Sequence, residues 1–364
     1  MNFALIITNL RGGGAEKTMI RLAAALAACG HRAALILLEH RIEHDLPAGL
    51  EVHALTQPSA RLKKGLLGKL RAAWRLRALH AGLDLGPHAV TISTLPFADE
   101  VVSLAHLPNT WYRIANTLSA EADMLAQRDP NRAARRLKKY RRLYEGRNLI
   151  AVSAGVEADL RQRLGLHQAH IVTIHGGYNL DALRLASMRM DPEVPDEPFI
   201  LHVGRFMPQK RHDLLFEAFR LAELPHRLVL LTQPSPALQD MIARYGLTYR
   251  VTVAGFRPNP YPWMRAADLL VLCSQREGMP NVLVEALACG SRVLSTDCPS
   301  GPREVLRGPL ARWLVPCDDA GALAAAMHRV LGAPPPGPEA VPQEFTEARM
   351  VQAYTRLARI AETA

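Results

Sequence analysis

Glu277 and Glu285 lie eight residues apart in a segment whose residue types suit the binding of a phosphorylated sugar. Glu277 follows a buried strand, and Glu285 lies one turn into a helix that starts near Asn281. Gly278 permits close approach of the backbone, and the N–H groups at the start of a helix favour an anion. Two carboxylates beside an anion can accept hydrogen bonds from sugar hydroxyls. A surface position is the ordinary interpretation of Glu277 alone, but the whole segment predicts a binding site.

Two cations follow another buried strand. Arg205 and Lys210 lie five residues apart in a loop that Gly204 and Pro208 bend. Cations at the carboxyl end of a strand can converge on a diphosphate. They can equally be solvated loop residues, and the sequence leaves both interpretations open.

A glycine run, Gly12 to Gly14, lies between the first strand and the first helix. It would let a ligand approach the backbone near a helix N-terminus. Its spacing is neither G-x-G-x-x-G nor a P-loop, so a tight strand–helix turn is the alternative.

Strands alternate with helices along the whole chain, which predicts an α/β fold with parallel sheets covered by helices on both faces. The acidic, proline-containing segment MDPEVPDEP (190–198) predicts an interdomain linker, after which FILHVGRF restarts the pattern that NFALIITNL opens. We therefore expect two Rossmann-like domains in tandem with a cleft between them. The predicted segments are 1–190, 191–343 and a last helical stretch, 344–364, returning to the N-terminal domain.

The positive charge is confined to the first half. Of 364 residues with net charge +10, residues 1–190 hold 26 Lys and Arg against 15 Asp and Glu, and residues 191–364 hold 18 against 19. Residues 61–77 carry seven basic residues and no acidic one, and residues 128–147 carry nine against Asp129 and Glu145. The two halves are expected to meet different electrostatic partners.

An apolar stripe runs through the first basic segment at helical spacing, formed by Leu62, Leu66, Leu67, Leu70 and Trp74. Such a helix can lie on an anionic membrane surface. It can also be a solvated helix whose stripe packs on its own domain. Nucleic acid is not expected, because no recognisable binding motif accompanies the charge.

Several other protein classes are excluded or disfavoured. No apolar run reaches the ~18–20 residues that span a bilayer. Five scattered cysteines without a CxxC pair do not suggest a disulfide framework or a zinc site, and they fit a reducing cytoplasm. The opening apolar stretch lacks a basic n-region and a cleavage site, so we interpret it as a strand rather than a signal peptide.

With these motifs, the second half resembles glycosyltransferase family 4, the retaining transferases of GT-B fold, and in particular bacterial members that build surface polysaccharides. The matching segments are VGRFMPQKR (203–211), VAGF (253–256), NPYPWMRAADLLVLCS (259–274), E-x7-E (277–285) and TDCPSGPREVL (296–306). GGGAEK near the N-terminus is similar to the family's glycine loop. Residues 31–199 match mainly in topology.

The resemblance implies a role for each matching residue. Arg205 and Lys210 would hold the donor diphosphate, and Glu277 would contact the transferred sugar; these three form the expected catalytic set. Glu285 would accept hydrogen bonds from the ribose. The other donor-binding positions are Gly204, Gly278, Met279, Pro280, Asn281 and Val282, then Ala254, Gly255 and Phe256 beside the base, and Gly13 and Gly14, which would approach the diphosphate from the other domain.

One departure concerns the acceptor side. Many relatives carry a histidine near the reacting sugar in a Ser-Glu-His-like segment, whereas the corresponding region here reads RIANTLS (113–119). His106 lies upstream and is more typical of a packing residue. Asn116 and Thr117 are the candidates for the missing polar contact.

The expected reaction transfers a sugar from a nucleotide-diphosphate donor, a UDP-sugar, to a glycan or lipid-linked acceptor, with no cofactor. No D-x-D occurs in the chain, so Arg205, Lys210 and the helix start at Asn281 would replace a metal ion. A polyprenyl-diphosphate-linked acceptor and a peripheral position on the cytoplasmic face of the membrane are expected. A nucleotide-sugar 2-epimerase of the same fold and a catalytically silent membrane-associated assembly protein are the alternatives. The sugar, the linkage and the choice between front-face attack and a covalent intermediate stay open.

Overall fold

The computed structural model of the chain describes residues 1–58 and 60–363, apart from the side chains of Pro338 and of residues 360–363. Ala364, the last residue of the predicted segment 344–364, lies outside the described residues. Contacts divide the chain into two units. The N-terminal unit comprises Met1–Tyr178 together with the chain from Glu344 onward, and the C-terminal unit is Asn179–Gln343.

The N-terminal unit has a sheet of seven parallel strands in the order β3-β2-β1-β4-β5-β6-β7. The strands are β1 (Asn2–Ile7), β2 (Arg32–Leu37), β3 (Glu51–Ala54), β4 (Val90–Thr94), β5 (Thr110–Ile114), β6 (Asn148–Ala151) and β7 (His170–Thr173). Its helices are α1 (Gly14–Ala28), α2 (Leu66–Gly82), α3 (Pro96–Ala105), α4 (Leu118–Ala126), α5 (Pro130–Tyr144), α6 (Ala154–Ala158) with a π-helical turn (Asp159–Arg163), and α14 (Glu347–Thr363).

The core of the N-terminal unit follows from its apolar strands. Every residue of β1 from Phe3 to Ile7 is buried, as expected for a central strand covered by helices on both faces. Helix α14 packs against α1, and Met350, Tyr354 and Leu357 join the same cluster of buried residues. The last helix therefore completes the N-terminal core.

The C-terminal unit has six parallel strands in the order β10-β9-β8-β11-β12-β13. The strands are β8 (Phe199–Val203), β9 (Arg227–Leu231), β10 (Val251–Val253), β11 (Leu269–Leu272), β12 (Val293–Thr296) and β13 (Leu314–Val315). Its helices are α7 (Leu180–Ser187), α8 (His212–Ala222), α9 (Pro236–Arg244), α10 (Tyr261–Ala266), α11 (Asn281–Ala288), α12 (Pro302–Val305) and α13 (Ala320–Leu331), and 3-10 turns are formed by Pro208–Lys210, Gly308–Trp313 and Pro338–Ala340. A further 3-10 turn, Gln343–Phe345, lies where the chain passes from the C-terminal unit to the N-terminal unit.

Both sheets confirm the predicted pair of parallel, Rossmann-like domains. In each sheet the strand order reverses once, between β1 and β4 in the first and between β8 and β11 in the second. Ligands of open parallel sheets bind at the carboxyl ends of the strands beside such a reversal. The loops after β8 and β11 are those that carry Arg205, Lys210 and Glu277.

The boundary between the units lies earlier than the predicted position, residue 190. Helix α7 lies before the predicted boundary and packs against α10 and α11 of the C-terminal unit. The predicted linker belongs to that unit as well, because the Trp263 indole donates to Asp191 at 2.8 Å. Helix α7 spans only eight residues, so its apolar periodicity is too short to identify a helix, and the residues that it contacts are distant in sequence.

Candidate active site

The loops after β8 and β11 are joined by three hydrogen bonds. The Gln275 N–H donates to the Gln209 carbonyl at 2.9 Å, and Gln209 Nε2 donates to the Arg276 carbonyl at 2.8 Å. Lys210 Nζ donates to Glu277 Oε1 at 2.7 Å. Two motifs that are 67 residues apart thus form one surface at the reversal of the sheet.

The lysine side chain passes over Gly204 on its way to the glutamate. A Cβ on Gly204 would lie 3.5 Å from both Lys210 Cδ and Cε, so the aliphatic part of the lysine passes closely over this residue. Glu277 is buried and Lys210 is half-buried. The ammonium of Lys210 is therefore held at the edge of the surface, where it can meet a ligand anion.

Arg205 is the exposed cation of the same loop. Within residues 1–58 and 60–363, its guanidinium has no hydrogen-bond or ion-pair partner. Its five N–H donors are available to a planar or tetrahedral anion. The predicted cation pair is thus divided into one lysine fixed by Glu277 and one arginine accessible to a ligand.

Two buried histidines lie beneath the cationic loop, and sequence reasoning gave them no role. His202 Nδ1 donates to the Val271 carbonyl at 2.9 Å, and the His202 and His212 rings meet edge to face with centroids 4.8 Å apart. Burial lowers the pKa of His202 to about 4 and that of His212 to about 2, and the Lys210 ammonium contributes to both shifts. Both rings are therefore neutral at physiological pH, and they add no charge beside Lys210.

The start of α11 differs from the prediction of free N–H groups. The Asn281 N–H donates to the Met279 carbonyl and the Leu283 N–H to the Pro280 carbonyl, both at 3.0 Å. These bonds shape the turn Gly278–Pro280 into a fixed entry to the helix. Glu285 is buried on the helix one turn further on. The helix start therefore offers a ligand fewer amide donors than the sequence predicts.

A third loop, which follows β12, packs against the turn Gly278–Pro280. Gly301, after β12, has φ +94°, and a Cβ built on it would lie 2.3 Å from Pro280 Cδ, 3.1 Å from Met279 Cα and 3.2 Å from the Gly278 carbonyl oxygen. Thr296 Oγ1 also donates to the Ser274 carbonyl at 2.7 Å. In the sequence Gly301 is only one residue of a matching segment, but the absence of a side chain there is what lets the two loops touch.

The predicted base-side turn, Ala254 to Phe256, follows the edge strand β10. The Ala254 N–H donates to the Leu230 carbonyl at 3.0 Å, Gly255 has φ +84°, and the Phe256 ring is exposed. These residues share the carboxyl edge of the sheet with the Lys210–Glu277 pair but lie beyond β9. Their donor-binding role stays a prediction.

In the N-terminal unit, a carboxylate of the chain itself lies beside the glycine loop. A Cβ on Gly13 would lie 2.3 Å from Glu16 Oε2, so the Glu16 carboxylate folds back over Gly13 at the start of α1. This is the ordinary place for a carboxylate in the first turn of a helix. The structure thus explains Gly13 by a contact within the unit, and the expected diphosphate contact of Gly13 and Gly14 stays a prediction.

The acceptor-side candidates lie at the start of α4. Asp159 accepts from the backbone N–H groups of Leu118 and Ser119 at 3.0 and 3.2 Å, which fixes this turn. Thr117 is buried, whereas Asn116 is half-buried. Of the two candidates, only Asn116 has appreciable surface for a substrate.

Comparison with known proteins agrees with the geometry of both units. The model of Glycosyltransferase Family 4 matches residues 12–182, and that of Glycosyl transferases group 1 matches residues 197–333. Together these two matches cover most of the chain and every strand of both sheets except β1. The chain belongs to glycosyltransferase family 4. It is accordingly a glycosyltransferase, and this confirms the resemblance drawn from the motifs.

One curated relative and two solved structures illustrate the similarity of this glycosyltransferase to others. N-acetylgalactosamine-N,N'-diacetylbacillosaminyl-diphospho-undecaprenol 4-alpha-N-acetylgalactosaminyltransferase of Campylobacter jejuni is 25% identical over 343 residues, covering 90% of this chain and 89% of the relative. Anabaena Alr3699/HepE in complex with UDP-glucose has a TM-score of 0.73 at 18% identity and full coverage of both chains. A glycosyltransferase from Rickettsia africae has a TM-score of 0.71 at 17% identity, covering 99% and 98%. Likeness to these two structures shows the GT-B fold.

A buried cluster of three hydrogen-bonded side chains, Ser93, Asp99 and Tyr144, lies at β4 of the glycosyltransferase, and no sequence motif indicates it. Asp99 accepts from Ser93 Oγ at 2.5 Å and from the Tyr144 hydroxyl at 2.7 Å, which ties α3 and the basic helix α5 to β4. Burial raises the pKa of Asp99 to about 7, although both hydrogen bonds oppose the rise. Asp99 is buried too deeply to touch a substrate, so its effect is on stability.

We expect this cluster to make stability depend on pH. The Asp99 carboxyl has a higher pKa in the folded protein than the 3.8 of an unperturbed side chain, so folding takes up a proton between about pH 4 and pH 7. Stability should fall as the pH rises through that range. In Asp99→Asn this contribution is absent, so the unfolding temperature of the wild type should decline from pH 5 to 8 relative to the variant. A constant difference between the two curves would show that Asp99 does not titrate there.

Proposed function

We propose that the protein is a retaining, metal-independent glycosyltransferase. It transfers a sugar from a UDP-sugar to a polyprenyl-diphosphate-linked or otherwise lipid-anchored glycan acceptor in the synthesis of cell-surface polysaccharide. The observation that carries the proposal is the surface formed by Lys210, Glu277 and the exposed Arg205 at the reversal of the C-terminal sheet. Two cations beside a carboxylate suit a ligand that joins a diphosphate to a polyhydroxylated sugar.

The cations and the carboxylate of this surface have different roles in the proposed reaction. Arg205 and Lys210 stabilise the negative charge that grows on the departing diphosphate, and such stabilisation lowers the barrier because it is stronger in the transition state than in the ground state. Glu277 accepts hydrogen bonds from hydroxyls of the sugar. Its Oε1 already accepts from the Lys210 ammonium, which makes it a weak nucleophile.

Retention is therefore assigned to attack from the face that the diphosphate leaves. The bond between the anomeric carbon and the phosphate oxygen breaks, and the bond from that carbon to the acceptor oxygen forms. The proton of the acceptor hydroxyl moves to an oxygen of the leaving diphosphate. This scheme needs no protein base, which suits a catalytic surface whose two histidines are buried below the loop and have lowered pKa values that make them weak bases.

The donor and acceptor classes draw on the relatives together with the charge of this chain. The name of the Campylobacter relative describes a diphospho-undecaprenol-linked acceptor, and the Anabaena structure holds UDP-glucose. In this chain the excess of basic residues lies in the first half. A basic N-terminal unit suits an acceptor that carries a diphosphate at a membrane surface.

The proposal is tested by an assay of product formation. UDP-sugars are supplied with a panel of polyprenyl-diphosphate-linked saccharides, and UDP release is measured together with the anomeric configuration of the product by NMR. An α-linked product from an α-linked donor supports retention, and inversion contradicts it. Donor incubated alone is examined for an isomeric sugar, whose formation without acceptor would show a 2-epimerase instead.

Activity is expected to survive EDTA. The prediction rests on the missing D-x-D motif and on Arg205 and Lys210, which supply the positive charge that a divalent ion would otherwise provide. Turnover is measured after dialysis against the chelator, with and without added Mg²⁺ or Mn²⁺. Loss of turnover that either ion restores would contradict the metal-independent mechanism.

A further inference from the structure

Helix α2 has an apolar face that does not pack on the protein. We call the side chains of Leu66, Leu67, Leu70 and Trp74 the α2 apolar face; they are 68, 75, 44 and 73% exposed. The buried residues of α2 are Ala72, Ala73 and Leu76. Of the two interpretations that the sequence left open, packing of the stripe on its own domain is therefore wrong.

The exposed and buried residues lie on different sides of the helix. At about 100° per residue, the α2 apolar face covers an arc of roughly 100°, and the three buried residues cover a separate arc of similar width. Leu62, which the sequence placed in the stripe, precedes the helix and is half-buried. The helix is thus attached by one side and presents a second apolar side to its surroundings.

Exposed cations surround the α2 apolar face. Residues 61–77 contain no Asp or Glu, and five of their seven basic side chains project from α2 or from the turn before it and are exposed: Lys63, Lys64, Arg71, Arg75 and Arg77. The other two are Arg61, which is exposed but lies further before the helix, and Lys69, whose ammonium lies 2.6 Å from Glu100 of the same unit. Exposed leucine and tryptophan among lysine and arginine are complementary to the boundary of an anionic lipid bilayer, where tryptophan and apolar side chains enter and cations meet phosphate.

The second basic helix, α5, lacks this combination. Its inner residues Ala133, Tyr140 and Tyr144 are buried in the N-terminal unit. Its outer side is basic, and no large apolar side chain of α5 is exposed within the described part of the chain. Helix α5 can add electrostatic attraction to an anionic surface, but of the two helices only α2 has large exposed apolar side chains that could insert into a bilayer.

The position of α2 in the fold places its first turn at the carboxyl edge of the sheet. It connects β3 to β4, which run parallel, so the helix runs the opposite way and begins at the edge where the strands end. The loops after β1 and β4 lie at that same edge. Given the proposed function, a surface-bound α2 would bring this edge to a lipid-linked acceptor.

We propose that the α2 apolar face is a docking surface for an anionic phospholipid bilayer. Leu66, Leu67, Leu70 and Trp74 enter the headgroup boundary, and the five exposed cations bind the anionic headgroups. None of the helices in residues 1–58 and 60–363 is long and apolar enough to cross a membrane. With one short apolar face and no lipid chain in the proposal, docking is reversible and weakens with salt.

Trp74 supplies a direct readout, because the other three tryptophans, Trp111, Trp263 and Trp313, are buried. The full-length protein is mixed with vesicles of phosphatidylcholine alone or with 30% phosphatidylglycerol, at low and high salt, without donor or acceptor. The expected result is a blue shift of tryptophan emission and protection from iodide quenching with the anionic vesicles at low salt only. Trp74→Phe should abolish the shift while still binding in co-sedimentation.

Matched variants distinguish binding through the α2 apolar face from non-specific binding of the protein to vesicles. Lys63→Gln with Lys64→Gln should lower the vesicle partition coefficient about 30-fold, and Leu67→Ser about tenfold. Leu185→Ser and Tyr249→Ser, at side chains of the C-terminal unit that are 66 and 88% exposed, should leave the coefficient unchanged.

Equal binding to both vesicle types, or an unchanged emission spectrum, overturns the proposal. So does a change of oligomeric state in Leu67→Ser with normal vesicle binding, which would assign the face to a second copy of the chain. Because no turnover is measured, failure here is distinct from failure of the proposed reaction.

Discussion

Replacing Arg205 with alanine is expected to lower turnover about 10²–10³-fold while leaving the unfolding temperature of the protein nearly unchanged. The guanidinium is exposed and has no partner within the described part of the chain, so its removal breaks no contact of the fold. The loss should fall mainly on kcat, because the charge on the diphosphate grows as the sugar bond breaks. Steady-state kinetics and thermal unfolding on the same preparations check both parts.

Lys210→Met is expected to lower turnover by a similar factor, but with a cost in stability. Methionine keeps much of the aliphatic chain that lies over Gly204 and removes the ammonium from the buried Glu277 carboxylate. Leaving one partner of a buried ion pair alone is destabilising. The double variant Lys210→Met with Glu277→Gln should recover the unfolding temperature and still lack turnover, which separates the folding role of the pair from its chemical role.

Arg244→Ala is the control for both cation variants. Arg244 is an exposed arginine on α9 of the same unit and is assigned no part in the reaction. Its replacement should leave turnover near the wild-type value and change the free energy of unfolding by no more than about 0.5 kcal/mol, as is usual for surface substitutions. Near-normal turnover in both Arg205→Ala and Lys210→Met would remove the diphosphate assignment.

The sequence contains enough to bring Arg205, Lys210 and Glu277 to one edge of one sheet. Each follows a buried strand in a strand–helix alternation, and the carboxyl ends of parallel strands share an edge. It does not contain the pairing of Lys210 with Glu277, because strand order is set by tertiary packing and not by periodicity. The contact between the His202 and His212 rings is also absent from the sequence pattern, because it forms only when β8 and α8 pack together.

Other differences arise where one pattern is compatible with two environments. The α2 stripe has the same spacing whether it faces the core or solvent, and only the exposed side chains decide between them. The glycine loop predicts an open anion site, but Glu16 folds back over Gly13 and occupies that position. Thr117 has a polar side chain suited to a substrate contact, yet packing at the start of α4 buries it. Such outcomes depend on neighbours that are distant in sequence.

Gly301→Ala is expected to lower turnover about 10²-fold, although Gly301 touches no reacting group. The added methyl would lie 2.3 Å from Pro280 Cδ, far inside van der Waals contact, and 3.1 Å from Met279 Cα. The turn Gly278–Pro280 or the loop of Gly301 must therefore move. The turn follows Glu277 directly, and a displacement of about 1 Å at a catalytic carboxylate is enough to cost a factor of this size.

The controls for this variant separate steric displacement from backbone strain. Gly301 has φ +94°, where alanine is strained in any surroundings, but Gly246 and Gly308 also have positive φ and a Cβ on either would meet nothing within 4 Å. Gly246→Ala and Gly308→Ala should therefore lose some stability and keep their turnover. Adding Pro280→Ala to Gly301→Ala removes the nearest atom and should recover part of the turnover relative to Pro280→Ala alone. If Gly308→Ala loses as much turnover as Gly301→Ala, strain and not contact is responsible. If Gly301→Ala keeps normal turnover in a folded protein, the loop after β12 does not position Glu277.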